Sequence, residues 1–447
     1  MFSIPQTNPR IGPAKPVWES KVTYRCEADY PIFLSPIYEH LETNIPKPLM
    51  KFSDLSFPDS SPLFPKHEAV QKYLKDYAKD ILHMIRFGVQ VINVELKHNK
   101  VEESFSWSVD CLDLRTRWKT QETYDAVIVA SGNYNVPYIP DIQGVQTWDA
   151  TFPASISHSK YYRIPKSFNE KKVVIIGNSA SGLDISSQIV HTCQKPLLLS
   201  QRSESYVAAS FSSHPNIKHV PQITRFDAAN RRIVFSDGSE EHEVDRIIFC
   251  TGYLYSMSFL STLNPNPISD GSRVEHTYQH LFYAPNPTLA FLTLPQKIIP
   301  FPLAEAQAAV VARVWSGRSS LLPTYEDMVA WEKSVVAERG SGREFHILKF
   351  PKDAEYINML YDWAASANPR AAMENDGKGK LPMRWGEWEY WARERFPAIR
   401  RAFVERGEER VKVKTWEEIG FDQKVSKRSD AQVSRANEII TEEKGAL

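Results

Sequence analysis

Continuous apolar runs alternate along this chain with segments whose apolar positions repeat at helical spacing. The runs Tyr124–Ala130, Lys172–Ile176 and Asp245–Cys250 are typical of strands buried on both faces of a sheet. Leu183–Ile189 predicts a helix, and Pro196–Ser200 predicts another buried strand. Strands that alternate with helices in this order predict an α/β protein with parallel sheets.

Weaker patterns predict further elements around these strands. Apolar positions from Lys66 to about Arg86, including Ile81 and Leu82, follow helical spacing. Asp237-Gly238 lies between two strand-like stretches and predicts a hairpin turn. The other predicted elements are strands near Val89–Leu96 and Phe105–Leu112, a helix over Leu303–Trp315, and mixed helix and loop from about 325 to 406.

Composition narrows the function classes. Lys plus Arg and Asp plus Glu are 54 each, so no net charge attracts nucleic acid or an acidic membrane. The four cysteines, Cys26, Cys111, Cys193 and Cys250, are far apart and predict neither a zinc site nor a disulfide framework. No basic, apolar leader and no apolar run of roughly 20 residues is present. We expect a cytoplasmic protein with no metal and no membrane span.

The segment Gly177-Asn178-Ser179-Ala180-Ser181-Gly182 joins a predicted strand to a predicted helix. This is a variant of the dinucleotide-binding turn: Gly177 permits the tight turn, Ser179 stands where the backbone approaches a pyrophosphate, and Gly182 permits close helix–strand packing. The helix N-terminus offers N–H groups to phosphates. Glycine-rich turns also occur as purely structural features, and the motif alone leaves that alternative open.

The next strand ends at Ser200-Gln201-Arg202-Ser203, about 20 residues further on. An acidic residue there favours NAD, whereas Arg202, helped by Ser200, can hold the 2′-phosphate of NADPH. NADPH is therefore the predicted dinucleotide. The alternative is that Arg202 is a solvated surface charge.

Asp125–Gly132 (D-A-V-I-V-A-S-G) resembles Asp245–Gly252 (D-R-I-I-F-C-T-G). The second segment closes the unit that Gly177 opens, so the first predicts another nucleotide-binding unit. No matching glycine loop precedes Gly132, because Gly12 and Gly88 do not follow apolar strands. The pattern indicates a two-dinucleotide enzyme whose first βαβ element is missing, unless the likeness of the two strands arises by chance.

Several motifs resemble those of the flavin-containing monooxygenases, particularly the fungal members, from about Ser35 to Phe421. Phe152-x-Ala154-x-x-x-His158-x-x-x-Tyr162 is similar to the identifying motif of that family, F-x-G-x-x-x-H-x-x-x-Y/F. Tyr38-Glu39-x-Leu41-x-Thr43-Asn44 resembles the segment that brings an Asn beside the flavin. Tyr134-Asn135-Val136-Pro137 and Ile299-Pro300-Phe301-Pro302 also look like family signatures.

Two departures from the family pattern stand out. Ala154 replaces the Gly of the motif, and if that position has positive φ, Ala is strained by roughly 1 kcal/mol or more. The N-terminal G-x-G-x-x-G for the FAD pyrophosphate is absent, as is the acidic residue for its ribose. A missing first exon in the gene prediction is the leading explanation, and a genuinely truncated product is the other.

The resemblance implies FAD and NADPH as cofactors and a small-molecule substrate together with O₂. It implies that reduced flavin forms a C4a-hydroperoxyflavin, which oxygenates a soft nitrogen or sulfur centre. The cofactor supplies this chemistry, so no protein nucleophile is required. Asn44 is the predicted catalytic residue, with the alternative that it caps a turn before Pro46.

Further roles follow from the same resemblance. Thr43 and Gln307 are predicted to contact cofactor, and Glu305 and Gln307 lie at the start of a helix that points toward the flavin. His158 and Tyr162 are predicted to support the junction between the two domains rather than to perform chemistry.

The predicted fold is α/β, with two Rossmann-like domains and a C-terminal helical extension. The predicted division is 1–165 for the first part of an FAD-type domain, 166–255 for an NADP(H)-binding domain, 256–421 for the return to the FAD-type domain plus a helical region, and 422–447 for a polar tail. A Baeyer–Villiger ketone monooxygenase is the nearest alternative, although Tyr162-Arg163 departs from the residues of that class. A non-catalytic NADP(H)-binding protein is the other.

Overall fold

A computed structural model describes residues 34–99, 103–203, 214–319, 322–371 and 378–423. Cys26 and the predicted polar tail beyond 423 lie outside these ranges. The helices of the described residues are α1 (Lys47–Met50), α2 (His67–Tyr77), α3 (Val145–Thr151), α4 (Ala180–Ile189), α5 (Pro300–Trp315), α6 (Tyr325–Arg339), α7 (Lys352–Ala365) and α8 (Glu387–Glu405). Short 3₁₀ helices cover Lys79–Met84, Ser159–Tyr161, Pro165–Phe168, Ser258–Leu260, Gly407–Lys412 and Glu417–Ile419.

The strands of the described residues form five sheets. The first eight are β1 (Val89–Asn99), β2 (Ser104–Asp113), β3 (Lys119–Tyr124), β4 (Val127–Val129), β5 (Val136–Pro137), β6 (Ile156–His158), β7 (Val173–Ile176) and β8 (Leu197–Ser200). The others are β9 (Ile217–Val220), β10 (Ile223–Asp227), β11 (Arg232–Phe235), β12 (Glu240–His242), β13 (Arg246–Phe249), β14 (Tyr253–Leu254), β15 (Thr277–Tyr278), β16 (Phe282–Tyr283) and β17 (Leu289–Phe291).

A parallel five-stranded sheet has the order β6-β13-β7-β8-β9. All four residues of β7 and all four of β8 are buried, as their uninterrupted apolar sequence predicts. Helix α4 connects these neighbouring strands, and the chain returns on the other side of β7 as β13. The sheet includes β6 at 156–158, so it begins before the predicted boundary at 166.

A second group of strands includes β4, which lies at the edge of its sheet and pairs with β17 in parallel. Strands β15, β16 and β17 complete this four-stranded sheet, and β1, β2 and β3 form an antiparallel sheet nearby. The prediction that the run at 124–130 is buried on both faces is wrong, because Val129 is its only buried residue and Ile128 is 43% exposed. The sequence resemblance between 125–132 and 245–252 includes the backbone conformation, since Gly132 and Gly252 both follow a strand and have positive φ.

Two strands connect these groups. β5 leads toward the parallel sheet, and β14 leads back from it. They pair with each other in antiparallel fashion. The two segments in which the chain crosses between the two groups of strands therefore lie side by side.

Helices α5, α7 and α8 enclose a large apolar core with residues 45–73. The structure confirms α5, with proline at its first turn, and the described residues of 325–406 form helices α6, α7 and α8 with loop between them, as predicted. The predicted helix from Lys66 to Arg86 is shorter: α2 ends at Tyr77, and a 3₁₀ helix follows. Ile81 and Leu82 are 52% and 43% exposed, so helical spacing there does not indicate a buried face.

None of the helices among the described residues is long and apolar enough to cross a membrane. Cys111, Cys193 and Cys250 are free and buried. Within the same ranges, no group of three or more His, Cys, Asp or Glu residues is arranged to hold a metal ion.

Candidate functional site

The turn between β7 and α4 is packed so closely that two of its positions exclude side chains. Gly177 has a φ of +103°, and a Cβ added there would lie 2.6 Å from the carbonyl oxygen of Cys250. A Cβ added at Gly182 would lie 1.8 Å from the carbonyl oxygen of Gly177. The first turn of α4 therefore lies directly against the loop, as a dinucleotide-binding turn requires.

The N-terminus of α4 is open to a ligand. Ser179 is the N-cap residue, is exposed, and makes no capping hydrogen bond through its side chain. The first helical hydrogen bond after it joins Leu183 N to the Ser179 carbonyl oxygen. An α-helix leaves its first N–H groups without intrahelical partners, and these carry the positive end of the helix dipole. The loop therefore presents donors suited to phosphate oxygens.

Asn178 joins this loop to the segment after β8. Its Nδ2 donates to Oε1 of Gln201 at 2.9 Å and to the carbonyl oxygen of Ser203 at 2.8 Å. Arg202 lies between these two acceptors and is exposed. Within the part of the chain that the structure describes, Arg202 makes no ion pair. The predicted 2′-phosphate residue is thus held beside the predicted pyrophosphate loop, and sequence reasoning missed Gln201 as the bridge.

Ser200 does not take the role predicted for it. The residue is 2% exposed, and its hydroxyl donates to the carbonyl oxygen of Pro221 at 2.9 Å. Ser200 is the last residue of β8, and its backbone carbonyl oxygen accepts a hydrogen bond from Gly177 N at 2.9 Å. The side chain points into the core, so its hydroxyl does not face a bound phosphate.

The segment that carries Thr43 and Asn44 packs against α4. Tyr38 donates a short hydrogen bond to Oδ2 of Asp184 on that helix, and its ring meets the ring of Tyr162 at 5.1 Å between centroids. Burial raises the pKa of Asp184 and also that of Tyr38. The contact fixes the start of this segment relative to the phosphate loop.

Asn44 itself is exposed, and no hydrogen bond of its side chain is found among the described residues. The turn before Pro46 is closed instead by Thr43, whose Oγ1 donates to the carbonyl oxygen of Ile45 at 2.9 Å. The alternative role of Asn44 as a turn cap is therefore not what the structure shows. Its amide is open to a ligand, and the predicted roles of Asn44 and Thr43 stay predictions.

Gln307 cannot contact a cofactor in this structure. It is 0% exposed, its Oε1 accepts from Thr293 N at 2.8 Å, and its Nε2 donates to the Tyr356 hydroxyl at 3.2 Å. The prediction of a cofactor-binding Gln307 is wrong because both amide atoms already have partners in the core. Glu305 is also buried and accepts from Ser53 N and Ser53 Oγ.

His158 and Tyr162 support the parallel sheet. The buried His158 ring has Nε2 3.0 Å from the carbonyl oxygen of Gly252, and its Nδ1 accepts from Lys160 N at 3.1 Å. Burial lowers the pKa of His158 to about 3, which fits a neutral ring that donates through Nε2. The Tyr162 hydroxyl donates to Oε1 of Gln188 on α4 at 3.0 Å. Neither side chain is available as an acid or a base.

A family described as flavin-binding monooxygenase-like matches residues 33–232 and 215–373. The chain is 34% identical over 348 residues to flavin-containing monooxygenase FMO GS-OX-like 2 of Arabidopsis thaliana, which covers 74% of this chain and 72% of that protein. It is also 34% identical over 306 residues to the thiol-specific monooxygenase of Saccharomyces cerevisiae, which covers 65% of this chain and 67% of the yeast protein.

A solved structure is similar over a larger share. The S-allyl-L-cysteine S-oxygenase of Allium sativum superposes with a TM-score of 0.69 at 28% identity, covering 91% of this chain and 85% of that one. This likeness confirms the predicted fold class, with two Rossmann-like domains.

Proposed function

The chain belongs to the flavin-binding monooxygenase-like family and is a flavin-dependent monooxygenase, and from this premise we propose that it oxygenates a soft sulfur or nitrogen centre with NADPH, FAD and O₂. In the balanced reaction, NADPH, a proton, O₂ and the substrate give NADP⁺, water and the oxygenated substrate. Bound FAD, once reduced, supplies the oxygen-transfer chemistry. The protein supplies binding, orientation and protection from water.

The phosphate loop carries the NADPH part of the proposal. Side chains are excluded at Gly177 and Gly182, the N-terminus of α4 has no side-chain cap, and Asn178 holds the segment with Arg202 beside the loop. These features fit a pyrophosphate and a 2′-phosphate. We assign Ser179, Ala180 and Ser181 to the pyrophosphate through their backbone, and Arg202 to the 2′-phosphate.

Asn44 is our choice for the residue at the reacting centre. Its amide both donates and accepts, and it is exposed on a segment fixed to α4 through Tyr38 and Asp184. In that position it can hydrogen-bond the nicotinamide amide and the oxygen that is to be transferred. Thr43 orients it by closing the adjacent turn.

Sulfur is the preferred centre in this proposal. The yeast relative is named a thiol-specific monooxygenase, and the Allium structure is an S-oxygenase of S-allyl-L-cysteine. Thiols and thioethers are soft nucleophiles, and their attack on an electrophilic oxygen needs no acid–base pair from the protein. The described site agrees with this, because the buried His158 ring is neutral and both of its nitrogens are hydrogen-bonded within the protein.

The first experiment is the visible absorption spectrum of the purified protein, followed by NADPH addition under argon. Flavin bands that NADPH bleaches, and that return in air with oxygenation of a thioether, would support the proposal. A flavin that NADPH does not bleach would contradict it, as would oxygenation of a cyclic ketone with no reaction of thioethers.

Arg202→Ala tests the choice of dinucleotide. We expect the Kd for NADPH to rise about tenfold or more while the Kd for NADH changes little, because a charge-assisted contact to the 2′-phosphate is lost. The matched control is Arg225→Ala, which removes an arginine from β10 of the same region. Unchanged NADPH affinity in Arg202→Ala would make Arg202 a solvated surface charge.

A further inference from the structure

The two crossings of the chain are bound to each other where they leave the parallel sheet. Tyr138 N donates to the carbonyl oxygen of Gly252 at 2.9 Å, next to the pairing of β5 with β14. The Thr251 hydroxyl makes a short hydrogen bond to the carbonyl oxygen of Tyr138. Any rotation of the parallel sheet against the rest of the molecule must therefore bend or slide this ribbon, defined here as residues 136–138 and 251–254.

Arg343 lies across the ribbon. Its Nη2 is 3.3 Å from the carbonyl oxygen of Thr251 and 3.4 Å from that of Tyr253, and its guanidinium carbon lies 4.3 Å from the centre of the Tyr138 ring. One planar side chain thus contacts both crossings. No ion pair of Arg343 is found in the described ranges, so its charge is directed at carbonyl oxygens and a ring face.

Gly252 makes this approach possible. Its φ is +86°, and an added Cβ would lie 2.8 Å from Nη2 of Arg343. Its own carbonyl oxygen is bound by Nε2 of His158 at 3.0 Å. The consecutive carbonyl groups of Thr251, Gly252 and Tyr253 are therefore held by donors from separate parts of the chain.

The segment that carries Arg343 is anchored away from the parallel sheet. Phe345 is 0% exposed and lies against Trp331 of α6 at 6.3 Å between ring centroids. The carbonyl oxygen of His346 accepts from Gln296 N at 2.8 Å. Arg343 thus extends from a packed part of the helical region to the ribbon. The phosphate loop is packed against the start of the ribbon, because Gly177 lies close to the carbonyl oxygen of Cys250, one residue before Thr251.

We propose that Arg343 is a positioning residue that fixes the angle between the parallel sheet and the helical region, and with it the approach of the nicotinamide to the flavin. The inference rests on the proposed function for its kinetic part. Its structural part, a fixed angle at the ribbon, stands on the contacts alone. A residue of this kind changes the rate of hydride transfer without changing the strength of NADPH binding, since the phosphate loop itself is intact.

Arg343→Gln tests the kinetic part by anaerobic stopped-flow bleaching of the flavin with NADPH. We expect the limiting rate constant to fall about tenfold, because displacement of reacting groups by an ångström is costly. The apparent Kd should stay within roughly twofold of the parent value, since uniform binding is unchanged. Arg343→Lys should be intermediate, because an ammonium group keeps the charge but cannot stack and bridge as a guanidinium does. Arg384→Gln, at an exposed ion pair with Asp362, is the matched control and should match the parent.

The structural part is tested by the distance between two spin labels. Lys218→Cys in β9 and Lys333→Cys in α6 place labels at exposed positions of the two parts, in a chain with Cys26→Ser. The remaining cysteines are buried. We expect one narrow distance distribution in the parent, and a broader or shifted one after Arg343→Gln or Arg343→Lys.

The possible outcomes distinguish a failure of the proposed function from a failure of the positioning role of Arg343. If the parent flavin is not bleached by NADPH, the proposed function fails, and the label distances still test the fixed angle. If the distribution is unchanged in both Arg343 variants, or if the Kd rises in proportion to the loss of rate, the positioning role is overturned. A broadened distribution together with a slower limiting rate at constant Kd supports it.

Discussion

Ala154 has the left-handed backbone conformation that glycine adopts most easily, with a φ of +65°. The sequence predicts strain there only if φ is positive, and the structure meets that condition. The residue is exposed and directly precedes the buried Ser155 and β6. The strain is therefore local, and it should be removable without repacking.

Ala154→Gly should raise the free energy of unfolding by about 1 kcal/mol, because the Cβ penalty of the left-handed conformation is removed. Denaturant unfolding monitored by tryptophan fluorescence measures the change. The matched control is Ala150→Gly, at an exposed position of α3, which should lower stability by roughly 0.5–1 kcal/mol. A loss of stability in Ala154→Gly would contradict the assignment of strain.

His158 makes stability depend on pH. Burial lowers its pKa to about 3 in the folded protein, whereas an unfolded His titrates near 6.5. Below about pH 6.5 the unfolded chain therefore binds more protons than the folded one, and the free energy of unfolding falls as pH falls toward 3. At neutral pH this destabilising contribution is absent.

His158→Gln should reduce the acid sensitivity. Between pH 6.5 and 5 we expect the parent to lose on the order of 2 kcal/mol more than the variant, from about 1.4 kcal/mol per pH unit for one buried group. Urea unfolding at both pH values measures the difference. Buried His280 and His346 also have lowered pKa values and remain in both proteins, so they cancel in the comparison. Equal pH dependence of parent and variant would contradict a neutral buried His158.

At the scale of elements, the turn between β7 and α4 shows what local sequence predicts well. A buried strand, a glycine turn and a helix are encoded by neighbouring residues, and the structure places the strand within one residue and the helix within three residues of the predicted bounds. Ser200 and Gln307 depend instead on partners that lie far away in sequence, Pro221 and Tyr356. Residue type indicates that such side chains can hydrogen-bond, and the tertiary fold decides with what. Arg343 has no local motif, so the sequence offers no signal for it.

Gly182→Ala tests the close packing of α4 on the loop. We expect the Kd for NADPH to rise about tenfold or more, because a Cβ 1.8 Å from the Gly177 carbonyl oxygen forces the two apart at a cost of roughly 1–3 kcal/mol. Ser181→Ala is the neighbouring control, since it keeps a Cβ that the fold already accommodates. Fluorescence titration with NADPH distinguishes them, and equal affinities would argue against the loop as the phosphate site.

At the scale of the whole molecule, a buried ion cluster joins the segment of Asn44 to the C-terminal helices. Arg400 on α8 donates from Nη2 to Oε2 of Glu42 at 3.2 Å, and Arg410 lies 3.1 Å from Oε1 of the same carboxylate. Burial lowers the pKa of Arg400. The side chains of Arg400 and Glu42 are 4% and 6% exposed, so this pair has little access to solvent.

Glu42→Gln should lower the free energy of unfolding by about 3 kcal/mol, because it removes the carboxylate that is hydrogen-bonded to the buried Arg400 charge. Asp76→Asn at the exposed pair with Lys72 is the control, and we expect a change of about 0.5 kcal/mol or less. Thermal unfolding of both variants provides the measurement. A Glu42→Gln protein as stable as the control would show that the cluster contributes nothing to the fold.

The ion pair between Glu42 and Arg400 also has a consequence for biosynthesis. The two residues are separated by 358 positions. At about 5–20 residues per second, a ribosome makes Arg400 on the order of tens of seconds after Glu42. Strands β6 to β13 come from one contiguous stretch and can assemble in the nascent chain well before that. The segment bearing Asn44 gains its buried ion pair only after Arg400 has been made, so we expect the phosphate-binding sheet to form first and the packing around Asn44 to be completed afterwards.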